Sequence, residues 1–138
     1  MLRVFVDSDV VISSLISSQG AAYLLLNQTI LKLVISDISL AEIKQVLKRM
    51  NIDENALKSL LPKLEIIKVS KSLIQIKKEY SNLTYDLDDA HILAAAVQAK
   101  ANFIISYNQK DFNSNQIKMD FDIILITPGH FLQYLRSI

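Results

Sequence analysis

Five short apolar runs, each about as long as one β-strand, constrain the fold of this 138-residue chain more than any other feature. Segments with the spacing of amphipathic helices separate them. The runs cover residues 2–6, 32–35, 64–69, 102–106 and 122–126. Helices are predicted over residues 10–15, 21–26, 40–50, 54–61, 72–80, 88–99 and 129–136. Strands that alternate with helices in so short a chain predict an α/β fold of three layers, α/β/α, with a mainly parallel central sheet.

The composition is typical of one compact domain, predicted here over residues 1–138. Hydrophobic residues make up 51% of the chain, and it contains two glycines, two prolines and no cysteine. The lack of cysteine excludes disulfides, thiolate metal sites and cysteine nucleophiles, so any metal is expected to be bound by oxygen. No apolar run reaches the roughly 18 residues of a membrane helix, and we therefore expect a cytoplasmic protein with no membrane partner. A net charge of +1 neither favours nor excludes a nucleic-acid partner.

Two aspartates follow the first apolar run. Asp7 stands at the end of a predicted buried strand, where an ionised carboxylate is costly unless a cation or several donors meet it. Ligands of open parallel sheets bind at this carboxyl edge, because loops and helix N-termini converge there. Asp9 has a simpler interpretation, since aspartate is favoured as the N-cap of a helix such as the one predicted to begin near Val10.

Helix capping is also an alternative interpretation of the next acidic residues. Glu42 lies three residues after Ser39, as in a capping box, although a glutamate in the first helical turn can also point into the crevice. Asp86, Asp88 and Asp89 are more acids than one helix start requires. Asp89 shares a side with the apolar stripe of its helix, which makes it a better candidate for a site than for a cap.

A polar segment, residues 106–112, follows the fourth run. Asn108 and Asp111 could be turn formers when considered alone. Considered together, four acids from separate segments are expected to lie at the same edge of the sheet. They are Asp7, Glu42, Asp89 and Asp111. Four neighbouring carboxylates repel one another unless divalent cations neutralise them, and Mg²⁺ or Mn²⁺ suits such oxygen ligands. A site of this kind can activate water against a phosphodiester, which is nuclease chemistry.

The chain resembles the PIN-domain family, in particular its VapC-like ribonuclease toxins, from the N-terminus to about residue 127. The segments that carry the resemblance are VFVDSDVVISSLIS, SLAEIKQVL and LDDAHILAAAVQAKANFIISYNQKDF. The resemblance implies a Mg²⁺- or Mn²⁺-dependent endoribonuclease with an RNA substrate, a cognate antitoxin and a homodimeric assembly. Its catalytic and metal-binding positions fall on Asp7, Glu42, Asp89 and Asp111. Supporting positions are Ser8, Asp9, Asp86, Ser106 and Asn108, and Asp9 departs from the asparagine or serine that is more frequent in the family.

Two other functions compete with this one. FVDSDVV also resembles the first motif of haloacid-dehalogenase-type phosphatases, in which Asp7 would be the nucleophile and Asp9 the acid and base. Against that function, no glycine follows Asp9, and the residues before Asp86 are polar instead of forming a buried strand. The second alternative is a non-catalytic PIN-like module that binds RNA or protein, which would have no need of four mutually repelling carboxylates.

The basic residues carry weaker signals. Lysines at positions 44, 48, 77, 78 and 110 either guide a phosphate backbone or, as is usual for exposed lysines, serve solubility alone. His91 and His130 are expected to have no role beyond surface or partner packing.

Overall fold

The computed structural model describes all residues from Met1 to Ile138. The five strands are β1 (Leu2–Val6), β2 (Leu31–Ser36), β3 (Glu65–Ile67), β4 (Phe103–Ile105) and β5 (Ile124–Ile126). The eight α-helices are α1 (Ser8–Ile16), α2 (Ala21–Leu26), α3 (Asp37–Arg49), α4 (Glu54–Leu60), α5 (Leu73–Glu79), α6 (Ala90–Gln98), α7 (Ser114–Phe121) and α8 (Pro128–Arg136). Three 3-10 turns span Leu61–Lys63, Leu87–Asp89 and Gln109–Asp111.

All strand pairs of the sheet are parallel, in the order β3-β2-β1-β4-β5. The chain therefore begins at the centre of the sheet, proceeds outward through β2 and β3, and then crosses to the other side of β1. In register, Val4 of β1 lies between Leu33 of β2 and Phe103 of β4. The reversal of strand order between β1 and β4 is where open α/β sheets form their ligand crevice, so the residues after these two strands are placed at it.

Helices cover both faces of the sheet, which confirms the predicted α/β/α layers. Because successive side chains of a strand point to opposite faces, Val4 and Val6 enter one apolar core while Phe5 enters the other. The first core is closed by α1, α2, α3, α4 and α8, and the second by α5, α6 and α7. No helix is long and apolar enough to cross a membrane, the longest being α3 with 13 residues.

Two helix starts differ from the sequence predictions. Helix α1 begins at Ser8 and its N-cap is Asp7, whose carboxylate accepts the Ser8 N–H, so the prediction that Asp9 caps this helix is wrong. Helix α3 is capped by Ser36, whose hydroxyl accepts the Ser39 N–H at 3.0 Å. The predicted capping box of Ser39 and Glu42 is therefore also wrong, because an earlier serine already satisfies the helix start.

Helix α7 is not predicted by the pattern of the sequence. Of its eight residues, only Ile117 is buried, so no apolar stripe marks the segment. Its local start signal is Asn113, whose side chain accepts the Gln116 N–H at 3.3 Å. A capped but mostly polar helix gives too weak a periodicity to be recognised from sequence.

Candidate functional site

Asp7 lies between the end of β1 and the start of α1, and it is only 6% exposed. Its Oδ1 accepts the Ser8 N–H at 2.7 Å, and its Oδ2 accepts the Ser106 hydroxyl at 2.7 Å. Burial raises the pKa of Asp7, and the hydrogen bonds from Ser106 and Ser8 oppose that rise. The result is an oriented carboxylate whose ionised form benefits from a nearby cation.

Asp9 connects the first turn of α1 to the loop after β4. Its Oδ2 accepts the backbone N–H of Tyr107 at 3.1 Å, while its Oδ1 is buried without a hydrogen-bond partner. Burial, followed by the charge of Asp7, raises the pKa of Asp9 to about 7. Asp9 therefore binds the loop after β4 through Tyr107 and does not cap α1.

The closest group of acids, here called the three-acid cluster, consists of Asp86, Asp89 and Asp111. One carboxylate oxygen from each lies within 4.8 Å of the other two. Asp89 is the N-cap residue of α6, but its side chain accepts no capping hydrogen bond and is free for another role. Burial, followed by the charges of Asp7, Asp86 and Asp111, raises the pKa of Asp89 to about 6. These carboxylates therefore repel one another, and a bound cation would reduce that repulsion.

Backbone pairing brings the two halves of the three-acid cluster together. Thr84 forms an antiparallel bridge with Phe112, and the Tyr85 N–H donates to the carbonyl oxygen of Asp111 at 2.7 Å. Residues 84–86 are thereby tied to residues 111–112, far away in the chain. This non-local contact explains why Asp86, predicted only as a supporting residue, lies in the cluster itself.

Ser106 links the buried aspartate to the three-acid cluster. Its hydroxyl donates to Asp7 and accepts the Asn108 N–H at 3.0 Å. The same group is therefore both a hydrogen-bond donor and a hydrogen-bond acceptor. The Asn108 side chain in turn donates to the Asp111 carboxylate. The supporting positions Ser106 and Asn108 are therefore joined to two of the predicted site acids, one on each side.

Glu42 and Asp7, both predicted as site acids, lie outside the three-acid cluster. Asp7 is nevertheless close enough for its charge to raise the pKa of Asp89, and Glu42 adds to the rise at Asp7. The Oε1 of Glu42 lies 3.1 Å from Nε2 of His91, and its side chain is 46% exposed. The acids thus share one region of the structure, with Glu42 at its solvent side and Asp7 at its buried side.

His91 is the residue that the sequence analysis missed. It was expected at the surface or in partner packing, but it is buried, faces Glu42 with Nε2, and has an Nδ1 without a partner. The signal was available, since residues 90–96 are all buried in α6 and a polar side chain inside such a helix requires a polar contact. His130, by contrast, is exposed, as expected.

Two of the candidate lysines have informative surroundings. The Nζ of Lys77 lies 3.3 Å from the Asp88 carboxylate, so this lysine forms an ion pair within the chain. Lys110 is exposed in the turn that carries Asp111.

The donor set of the three-acid cluster fits a hard divalent cation. It offers carboxylate oxygens and no sulfur, and two of its members, Asp89 and Asp111, are half-buried while Asp86 is exposed. Mg²⁺ and Mn²⁺ prefer such oxygen ligands and keep several waters, which a partly open site permits.

Comparisons with known proteins identify the family and the fold. The sequence model described as PIN domain matches residues 3–110. A search among curated proteins finds no match. Similar solved structures include a toxin–antitoxin complex from Klebsiella pneumoniae, with a TM-score of 0.67 and 23% identity over 91% of this chain and 97% of that one.

Two further solved structures share the fold. VapBC2 from Rickettsia felis, bound to a DNA fragment from its promoter, has a TM-score of 0.62 and 20% identity over 90% of this chain and 97% of that one. VapC20 from Mycobacterium tuberculosis, a toxin that cleaves the sarcin-ricin loop, has a TM-score of 0.57 and 18% identity over 86% of this chain and 95% of that one.

The family match discriminates between the enzyme classes considered from the sequence. It covers Asp7, Glu42 and all of the acidic segment 86–89, and it ends one residue before Asp111. It therefore favours a PIN domain over a phosphatase of the haloacid-dehalogenase type. That alternative rests only on the resemblance of the segment FVDSDVV. With more than half of its length matched, this chain belongs to the PIN domain family.

Proposed function

We propose that this protein is a divalent-cation-dependent endoribonuclease that hydrolyses RNA phosphodiester bonds at the carboxyl edge of its sheet. The observation that carries the proposal is the three-acid cluster, in which carboxylates from two distant segments lie within 4.8 Å of one another in a PIN domain. A folded chain keeps such mutually repelling groups together at a cost in stability, and a cation-binding role explains that cost.

In this proposal, Asp86, Asp89 and Asp111 would hold Mg²⁺ or Mn²⁺, with Asp7 and Glu42 as the other acids of the site. When bound, the cation supplies positive charge at the phosphodiester and lowers the pKa of water, so that hydroxide is available near neutral pH. Both effects of the cation require that water can reach it beside its oxygen ligands. The side of the cluster formed by the exposed Asp86 is open to water.

The chain's own residues position these acids. Ser106 donates to Asp7 and so fixes the orientation of its carboxylate, and Asn108 does the same for Asp111. His91 limits the freedom of the half-exposed Glu42 side chain. A site whose acids are already oriented loses less entropy when substrate and cation bind.

We also propose that the protein is the toxin of a type II toxin–antitoxin pair, acting on cytoplasmic RNA and assembling as a homodimer. The resemblance to VapC-like toxins and the shared fold with VapBC complexes support this role. An antitoxin that inhibits it would be expected to present a basic side chain to the three-acid cluster, because no cationic side chain of this chain pairs with those carboxylates.

The proposal is tested with purified protein that has been freed of any co-purifying partner. The protein is incubated with total RNA in Mn²⁺ or Mg²⁺, and a parallel sample contains EDTA. We expect RNA fragments on a denaturing gel only where the cation is present. The absence of cation-dependent cleavage would favour the non-catalytic alternative, a PIN-like module that binds RNA or protein without cutting.

A further inference from the structure

The exposed aromatic residues of this protein are concentrated at its acidic site. The chain has five tyrosines and five phenylalanines, and every phenylalanine is buried or half-buried. Only three aromatic side chains are exposed, namely Tyr85 at 72%, Tyr107 at 48% and Tyr23 at 38%. The two most exposed ones lie in the segments that carry the three-acid cluster and its support. Two exposed rings in the segments that form one acidic site make these tyrosines candidates for contact with a ligand of that site.

The backbone of each of these two tyrosines is hydrogen-bonded to an acid of the site. Tyr85 directly precedes Asp86, and its N–H donates to the Asp111 carbonyl at 2.7 Å. The N–H of Tyr107 donates to the Asp9 carboxylate at 3.1 Å. Neither ring packs on another aromatic ring or on a cation. Both are thus anchored at the backbone while their rings remain available to solvent.

A flat ring in a segment of the proposed cation site, where the RNA backbone would be cut, suits an unpaired nucleobase. Bases stack on aromatic side chains whatever their sequence, because every base has a π-face. In a duplex, the bases are already stacked on one another and cannot make this contact. We propose that Tyr85 and Tyr107 are stacking platforms, each of which holds one unpaired base of the RNA strand beside the three-acid cluster. The identity of the ligand as RNA rests on the proposed ribonuclease function.

The surroundings of the rings favour RNA over a protein partner. A protein-docking surface is usually a contiguous apolar patch. Here the solvent-accessible sequence neighbours of the two tyrosines are polar, namely Asp86 beside Tyr85 and Asn108 beside Tyr107. Isolated rings of this kind offer single stacking surfaces and no continuous apolar face.

Binding is measured separately from cleavage, in the Asp7→Asn background, where the proposed reaction is blocked. The probe is a fluorescein-labelled 12-nucleotide RNA of mixed sequence with Mg²⁺, either single-stranded or annealed to its complement, and binding is followed by fluorescence anisotropy. A gel after each titration verifies that the probe is intact. Tyr85→Leu and Tyr107→Leu remove the π-face but keep an apolar side chain, whereas the corresponding phenylalanine variants keep the ring. Tyr23→Leu is the matched control, because this third exposed tyrosine lies in α2.

Each leucine variant is expected to raise the Kd for single-stranded RNA about 5-fold to 140-fold, the range for loss of one base–aromatic stack. The phenylalanine variants, the Tyr23→Leu control and all duplex titrations are expected to change little. Unchanged single-strand affinity in both leucine variants would overturn the inference and leave a protein contact as the alternative role of the rings. An equal loss with the duplex would overturn it too.

The failure of this inference can be distinguished from the failure of the proposed function. Cleavage by the parent protein, with unchanged RNA binding in the leucine variants, would refute the stacking role alone. Loss of single-strand binding in those variants, without any cleavage by the parent protein, would refute the nuclease and support the stacking role.

Discussion

Replacement of Asp9 by asparagine should stabilise the cation-free protein at alkaline pH and not at mildly acidic pH. In the folded protein, burial and the neighbouring Asp7 raise the pKa of Asp9 from its ordinary value of 3.8 to about 7. Between these two values the unfolded chain has released the proton while the folded chain still holds it, so stability falls as the pH rises. Above about pH 7 the loss is complete, and Asp9→Asn removes it.

The magnitude follows from the pKa and the hydrogen bonds. The difference between 3.8 and about 7 sets a ceiling of about 4 kcal/mol, since one pKa unit is worth about 1.4 kcal/mol. Asp9 is only partly buried, and halving the ceiling for solvent screening leaves about 2 kcal/mol. The asparagine keeps an acceptor for the Tyr107 N–H, but its NH₂ group lies where Oδ1 has no partner, at a cost of about 1 kcal/mol. The expected net gain is about 1 kcal/mol at pH 8.

At pH 5 only about a third of the charge penalty has developed, so the same substitution should be neutral or slightly destabilising. Urea unfolding with EDTA present, followed by far-ultraviolet circular dichroism, measures both values. Asp120→Asn is the control, because it removes one exposed carboxylate and should change the unfolding free energy by less than about 0.5 kcal/mol at either pH. A gain at pH 5 as large as that at pH 8, or a loss at pH 8, would refute the reasoning.

Three further outcomes are expected. Ser106→Ala removes the hydroxyl that Asp7 accepts, and it should lower the unfolding free energy by about 1–3 kcal/mol in urea and slow RNA cleavage. His91→Gln can keep a donor towards Glu42 and should retain more cleavage activity than His91→Leu, while equal rates in the two variants would exclude a positioning role. Mn²⁺ at about 100 times its Kd should stabilise the protein by about 2.7 kcal/mol in thermal unfolding, and Asp111→Asn should reduce that gain.

The fold could be predicted from the sequence because its signals are local and strong. The central strand β1 was predicted with its observed bounds, and its burial makes it a continuous apolar run. The shorter strands were predicted too long, since β3 keeps only three residues of the run 64–69. The length of an apolar run in the sequence reflects how many residues are buried. The length of a strand depends on how many of those residues pair with a neighbouring strand, and β3 pairs with β2 over three residues only.

The candidate site was predictable as a set of residues but not in its internal arrangement. Asp89 and Asp111 were identified from their positions, yet the membership of Asp86 depends on the pairing of Tyr85 with Asp111, which no local pattern encodes. The role of Asp9 likewise depends on the distant Tyr107. Contacts between residues about 25 to 100 positions apart arise from topology, and the cap preferences of single residues cannot predict them.

The central claim is that the acids at the carboxyl edge of the sheet cut RNA, and the rate of RNA cleavage by Asp89→Asn at saturating Mn²⁺ tests it most directly. Asp120→Asn, which makes the same charge change on the exposed surface of α7, is measured beside it. The predicted result is a rate at least about 100-fold below that of the parent, because charge stabilisation at such a site is worth several kcal/mol. Urea unfolding should show an unchanged or increased stability, since one repelling charge has been removed. Cleavage by Asp89→Asn at the rate of the parent protein would contradict the claim.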